Sequence, residues 1–195
     1  NRHMQELKDR IIKEGKVLPG NIIKVDGFLN HRIDTVLMDH IAEEFGKYFN
    51  LDDVTLILTA EASGIALATV MAHHYKKPLV FAKKAKSDNI EGGLYRSDIF
   101  SYTYKKKVTL IVAKEWISSS DKVLIIDDFM ANGEAMRGLI DIVNGAGAEL
   151  VGIGCAVEKG FQGGGDRLRA AGMNLKSLAI VESAEPGNIV FREDT

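Results

Sequence analysis

Cysteine occurs once in this chain, at Cys155. A disulfide framework is therefore excluded, and because Cys155 lies inside the apolar run VGIGCAVEK it reads as a small buried hydrophobe, not a reactive thiol. Proline is scarce, 3 residues against 19 glycines, and no internal repeat, heptad or low-complexity segment is present. Neither sign of charge dominates: the formal net charge is −2, so no whole-molecule basic field draws in nucleic acid or an anionic membrane. No apolar run reaches the ~18 residues of a membrane helix, and no signal-peptide pattern precedes the first helix. A cytoplasmic location is the expectation. The 5 histidines, His73-His74 among them, lack the spacing to cysteine or glutamate that a zinc site requires.

What is present is a chain of 195 residues, 46% hydrophobic and 27% charged, enough to bury one sizeable α/β core. A single domain over residues 4–195 is expected, with Asn1-Arg2-His3 ahead of Met4 read as a cloning remnant. Met4, Leu7 and Ile11 recur at helical spacing up to Gly15. Residues 17–34, VLPGNIIKVDGFLNHRID, alternate like strands around Pro-Gly and Asp-Gly turns. Leu37, Ile41, Phe45 and Tyr48 mark one face of a helix. Strands at TLILTA, PLVFAKK, VTLIVAKEW, KVLIID, VGIGCAVEK and KSLAIVES then alternate with helices over 65–75, around 136–143 and at DRLRAAG. Residues 85–107, with a Gly-Gly pair and the run SYTYKKK, read as a polar excursion outside the core. Continuous apolar strands feeding helices predict a parallel sheet covered on both faces.

Ligands of such sheets bind at the carboxyl ends of the strands. Four polar loops fall there: EASG (61–64), AKKAK, DDFMANGEA and EKGFQGGG. Asp127 and Asp128 are the sharpest feature. One aspartate could cap the following helix, but capping does not explain two. Adjacent residues point to opposite faces of a strand, so the pair could span both sides of a ligand edge, suited to sugar hydroxyls with magnesium nearby. Ala131, Asn132, Gly133, Glu134 and Ala135 then form a turn into a helix N-terminus, whose amides and dipole favour phosphate. Gly163-Gly164-Gly165 reads as a tight turn into a helix.

VLIIDDFMANGEA resembles the phosphoribosyl pyrophosphate signature of the type I phosphoribosyltransferases. Asn132 and Ala135 stand where the commonest form carries threonines. KVDGFLNHRID and VEKGFQ extend the likeness over nearly the whole chain, toward the xanthine-using bacterial members. The resemblance implies a twisted parallel sheet flanked by helices, a small N-terminal hood (17–34) over the base, and a flexible β excursion (85–107). It implies transfer of a 5-phosphoribosyl group from phosphoribosyl pyrophosphate, carried with Mg²⁺, to a purine by a homodimer.

By the same likeness Asp127 and Asp128 face the ribose hydroxyls as positive charge develops on the sugar. Residues 131–135 hold the 5′-phosphate, through backbone amides and the Asn132 side chain. Glu61, Ala62, Ser63 and Gly64 face the pyrophosphate, although the xanthine-using members usually carry serine at Ala62. Lys83 and Lys84 either add charge there or remain solvated. Lys159, a hydrogen-bond donor only, suits a 6-oxo purine, with Phe161 stacking on the base or packing its own loop. Ile23 walls the base pocket, and Asn30 sits over the purine or in an exposed turn. No direct protein cluster for the metal is expected. Two other readings stay open: a guanine or hypoxanthine transferase, and a regulator that keeps the pocket as a sensor. The second normally carries a DNA-binding domain and a basic face, for which only about thirty residues precede the helix near Val36.

Overall fold

The protein is described by a computed structural model, which describes residues 4–85, 92–102 and 104–193. The expected cloning remnant at 1–3 and part of the expected excursion, 86–91 and 103, lie outside the described residues.

The chain begins with α1 (Gln5–Glu14), whose Leu7 and Ile11 are buried. A short hairpin, β1 (Lys16–Leu18) with β2 (Ile22–Lys24), pairs antiparallel, and a single π-type turn over Asp26–Asn30 buries Phe28 and Leu29. Helix α2 (Thr35–Phe45) starts at Asp34, whose carboxylate accepts from the amides of Val36 and Leu37 at 3.1 Å each. That cap satisfies two of the helix's otherwise unpartnered amides. The hood is thus hairpin plus turn, and it packs into the same core as α1 and α2.

The main sheet has eight strands. In chain order they are β3 (Leu56–Ala60), β4 (Leu79–Ala85), β5 (Leu94–Ser101), β6 (Lys106–Ala113), β7 (Lys122–Met130), β8 (Glu149–Lys159), β9 (Leu175–Glu185) and β10 (Asn188–Phe191). Their spatial order is β10-β9-β8-β7-β3-β4-β6-β5. The five central strands are parallel. The expected parallel sheet is there, and at its edges β10, β5 and β6 pair antiparallel. Residues 94–101, inside the expected excursion, and 106–113, which include most of the strand expected at VTLIVAKEW, form a hairpin on the sheet. Their alternating half-buried pattern reads as polar because only one face of the hairpin meets the core.

Helices α3 (Gly64–Tyr75), α4 (Glu134–Gly145) and α5 (Gly164–Ala170) complete the domain. Strand alternation divides the interior in two. Ile57, Leu124 and Ile126 face α1, α2, α3 and the hood. Leu56, Leu58, Val123 and Ile125 face α4 and the β5–β6 hairpin. Successive side chains pointing to opposite faces make this two-layer core from uninterrupted apolar strands. Cys155 is fully buried on the α4 side, as expected, and burial holds its thiol well above the usual range. Among the described residues no helix is long and apolar enough to cross a membrane.

Candidate active site

Strands β3, β4, β7 and β8 end on one edge of the sheet, followed there by the turns after β3, β7 and β8, whereas residues 82–85 of the expected AKKAK loop belong to β4. Strand β7 runs to Met130, so the aspartates lie within the strand and not at its end. The reason is β8, which pairs with β7 from Lys122↔Glu149 through Met130↔Glu158 and carries the ladder past the pair.

Asp127 and Asp128 are 9% and 1% exposed. Both reach the turn that leads into α3. The ideal Cβ position at Gly64 lies 2.6 Å from Asp127 Oδ1 and closer still to Thr59 Oγ1, so only a glycine lets the turn approach this closely. Ser63 Oγ donates to Asp128 Oδ1 at 3.1 Å, and the amide of Asp128 donates to Asp127 Oδ1 at 2.9 Å. Asp128 Oδ2 and Thr59 Oγ1 are buried with no hydrogen-bond partner among the described residues. Such orphans are rare in protein interiors and mark places where a ligand donor is wanted. Burial first, and the neighbouring Asp128 second, push the carboxyl of Asp127 well above its ordinary range. Two carboxylates this close resist double ionisation unless donors or a cation arrive.

The turn from 61 to 64 carries a cis peptide between Glu61 and Ala62. Glu61 faces β4, its carboxylate accepting from the amide of Lys84 at 2.7 Å. Lys84 lines a cleft of about 650 Å³ together with Phe100, Tyr102, Lys107, Asn132 and Glu134, and its charge acts favourably on Asp127. Lys83, one residue earlier on the strand, is on the other face of the sheet, and the structure does not bring it into this cleft.

At the head of α4, Gly133 has φ +85°, a conformation that side chains rarely adopt. Ala131, Asn132, Gly133, Glu134 and Ala135 wrap a small cradle with Asp127. Asn132 Oδ1 accepts from the amide of Glu134 at 3.0 Å, so its oxygen caps the helix and only its amide group could serve a phosphate. Glu134 turns away from the cradle: its carboxylate accepts from the amide of Phe100 at 2.9 Å and from Arg137. The Arg137 hydrogen bond holds its pKa below the usual range. Its side chain therefore ties the loop to the β5–β6 hairpin, a role the sequence reading missed.

Lys159, 8% exposed, closes β8, with its ammonium 5.2 Å from the Phe161 ring centroid. Burial lowers its pKa. Phe161 is 37% exposed, a flat apolar surface beside a donor. Ile23 is buried and joins the core cluster that includes Val157 and Val181, neighbours of the Lys159 end of the sheet. Asn30 ends the π-type turn and is half-buried. The residues that sequence reasoning overlooked are Thr59, hidden by its apolar strand, and Glu158, a fully buried carboxylate in the run AVEK. A carboxylate inside an apolar strand was the available signal for Glu158.

A mixed, mostly parallel sheet with paired carboxylates between two such turns is the architecture of the phosphoribosyltransferases. Residues 29–169 match the family described as the phosphoribosyl transferase domain, and the chain belongs to it. It is 53% identical over 192 residues to the xanthine phosphoribosyltransferase of Bifidobacterium animalis subsp. lactis, covering 97% of this chain and 100% of that one. It is equally 53% identical, over 193 residues, to the xanthine phosphoribosyltransferase of Lachnoclostridium phytofermentans, covering 98% and 100%. The solved adenine phosphoribosyltransferase of Giardia lamblia, complexed with 9-deazaadenine, matches with a TM-score of 0.75 at 20% identity, over 91% of this chain and 98% of that chain. That of Trypanosoma brucei gives 0.72 at 22% identity, over 89% and 78%. At these identities the solved structures speak to the fold alone.

Proposed function

We propose that the chain transfers the 5-phosphoribosyl group of phosphoribosyl pyrophosphate to xanthine, giving xanthosine 5′-monophosphate and pyrophosphate. The observation that carries this is the buried Asp127–Asp128 pair, with an unpartnered oxygen, set between the 61–64 turn and the 131–135 cradle. The relatives named above, which share about half of its residues, support xanthine as the acceptor.

In this reading the amides of 131–135 hold the 5′-phosphate at the positive end of α4. Asp127 and Asp128 accept from the ribose hydroxyls and favour positive charge on the sugar as the bond to pyrophosphate breaks. Amides of the 61–64 turn and the ammonium of Lys84 face the departing pyrophosphate. Ile23, Asn30, Lys159 and Phe161 hold the base so that its nitrogen is in line with the anomeric carbon. Among the described residues no three His, Cys, Asp or Glu side chains converge as a metal cage. Magnesium would be carried on oxygens of the sugar pyrophosphate and water. Its contribution is to neutralise charge on the leaving pyrophosphate. Closure of the β5–β6 hairpin over the donor is part of the proposal, supported by Phe100 and Tyr102 lining the cleft. Pyrophosphate release without purine measures how well it keeps water out.

Lys159 makes the reading testable at the base. An ammonium donates to a 6-oxo group and leaves a 6-amino group unpaired, a mismatch of about 1–3 kcal/mol or more. With xanthine, guanine, hypoxanthine and adenine competing in one assay, xanthine should be consumed first and adenine should persist. Preference for guanine would overturn the xanthine assignment, and preference for adenine would overturn the role of Lys159.

The enzyme is proposed to work as a homodimer. The support is aromatic surface on the hairpin, with Phe100, Tyr102 and Tyr104 40%, 60% and 72% exposed, of a kind enriched at interfaces. Tyr95 does not contribute, since it is half-buried and packs toward Gly145 of α4. Light scattering at micromolar concentration should give twice the chain mass of 21.4 kDa, and a monomeric mass would contradict the proposal.

A further inference from the structure

Glu158 is fully buried, yet no step described above uses it. Its carboxylate accepts from Arg169 Nη2 at 2.7 Å, Arg169 Nη1 at 3.1 Å and Ser177 Oγ at 2.6 Å. This bidentate pair fastens α5 to the end of β8, next to Lys159. It also brings backbone into contact. The ideal Cβ position at Gly165 lies 2.6 Å from Glu158 Oε1, so α5 rests directly on the carboxylate. One residue earlier, the ideal Cβ at Gly164 lies 2.6 Å from both the carbonyl carbon and oxygen of Asn132 and 2.9 Å from the amide nitrogen of Gly133. Arg167 Nη2 adds a hydrogen bond to the Asn132 oxygen at 3.2 Å. A buried ion pair on one side of α5 is thus passed, through two glycines, to the backbone of the 131–135 cradle on the other. Asp166 secures the far side of the helix by accepting from Arg192 at 2.8 and 3.0 Å.

We propose that Glu158 and Arg169 are positioning residues for the 5′-phosphate cradle, acting through Gly164 and Gly165 and touching no substrate themselves. The proposal rests on the phosphoribosyl-transfer reading for its kinetic consequence, but not for its structural one. Lys159 on the base side has a support that the cradle lacks. Lys159 is held by the β8–β9 ladder, in register with Val181, whereas the cradle leans on α5.

The test uses Gly165→Ala, which pushes α5 off the carboxylate, and Arg169→Lys, which keeps the charge but loses the bidentate fork. Ala170→Ser, at an exposed position of the same helix, is the control. Hydrogen exchange of the ligand-free proteins should show faster exchange of the amides at 132–134 in both variants and parent-like exchange in the control. In steady-state assays the KM for phosphoribosyl pyrophosphate should rise roughly 10-fold or more, with the KM for xanthine within about 3-fold of the parent. Parent-like exchange at 132–134 in both variants would overturn the proposal, as would equal rises in both KM values. A parent enzyme that forms no nucleotide would overturn the transfer reading instead, leaving the exchange result to decide the positioning role.

Discussion

Replacing Asp128 by Asn is expected to lower kcat by more than ~10-fold with the fold intact. The asparagine keeps the shape and can still accept from Ser63, whose hydroxyl lies 3.1 Å from Asp128 Oδ1. What it lacks is the negative charge that favours a cationic sugar in a site closed to water. Asp127→Asn should separate activity from stability. In the folded protein the Asp127 carboxyl is raised well above its ordinary value of 3.8 by burial and by Asp128. The unfolded chain therefore gives up this proton first as pH rises. The associated stability is complete below the ordinary carboxylate value and is lost progressively as pH climbs toward the folded-state pKa. Asparagine never ionises. Ligand-free Asp127→Asn should melt about 2–4 °C above the parent at neutral pH, a gain of about 1 kcal/mol, and the gain should shrink as pH falls from the folded-state pKa towards 3.8 and vanish below it. Its turnover should fall with that of Asp128→Asn. Parent-like kcat in Asp128→Asn, or a lower melting temperature in Asp127→Asn at neutral pH, would show that the pair is structural.

Gly64→Ala should have the larger kinetic effect. The added Cβ would sit 2.6 Å from Asp127 Oδ1 and nearer still to Thr59 Oγ1, well inside van der Waals contact. These partners are held in strands β3 and β7, so the head of α3 has to move. A shift of that size displaces the 61–64 turn from both aspartates and is expected to cost about 100-fold in kcat/KM. Overpacking should also cost about 1–3 kcal/mol of stability. Steady-state kinetics read beside a thermal melt check both. A variant with parent-like kcat/KM would show that the spacing of turn and aspartates is not what the reaction depends on.

The parts of this molecule that could be read from sequence are those governed by local pattern. TLILTA, KVLIID and VGIGCAVEK are mostly apolar because both faces of the central strands are covered, and they lie within β3, β7 and β8 save for Thr55, which immediately precedes β3. The α4 positions Met136, Leu139, Ile140 and Val143 are buried as their spacing predicts. The edge of the sheet was harder. Strand β6 is legible in VTLIVA, but β5 is half-exposed, so its polar alternation looks like a loop, and β10 has four residues and no distinguishing pattern.

At the site, the two aspartates and the glycine of the cradle were visible because neighbouring carboxylates and a positive-φ turn leave marks in sequence. Side-chain direction was not. Lys83 and Lys84 look equivalent in the string, although strand alternation sends them to opposite faces. Glu134 enters the sequence reading through its amide, and nothing in the string shows that its carboxylate serves the amide of Phe100. The dependence of the cradle on Glu158 arises from contacts such as Arg167 to Asn132, 35 residues apart in the chain, which no local pattern records.

The central claim is tested most directly by incubating the protein with xanthine, phosphoribosyl pyrophosphate and magnesium, and quantifying nucleotide and pyrophosphate together. The account predicts xanthosine 5′-monophosphate and pyrophosphate in equal amounts, with neither product formed when base, sugar donor or metal is left out. Absence of nucleotide from xanthine, guanine, hypoxanthine and adenine alike would contradict it.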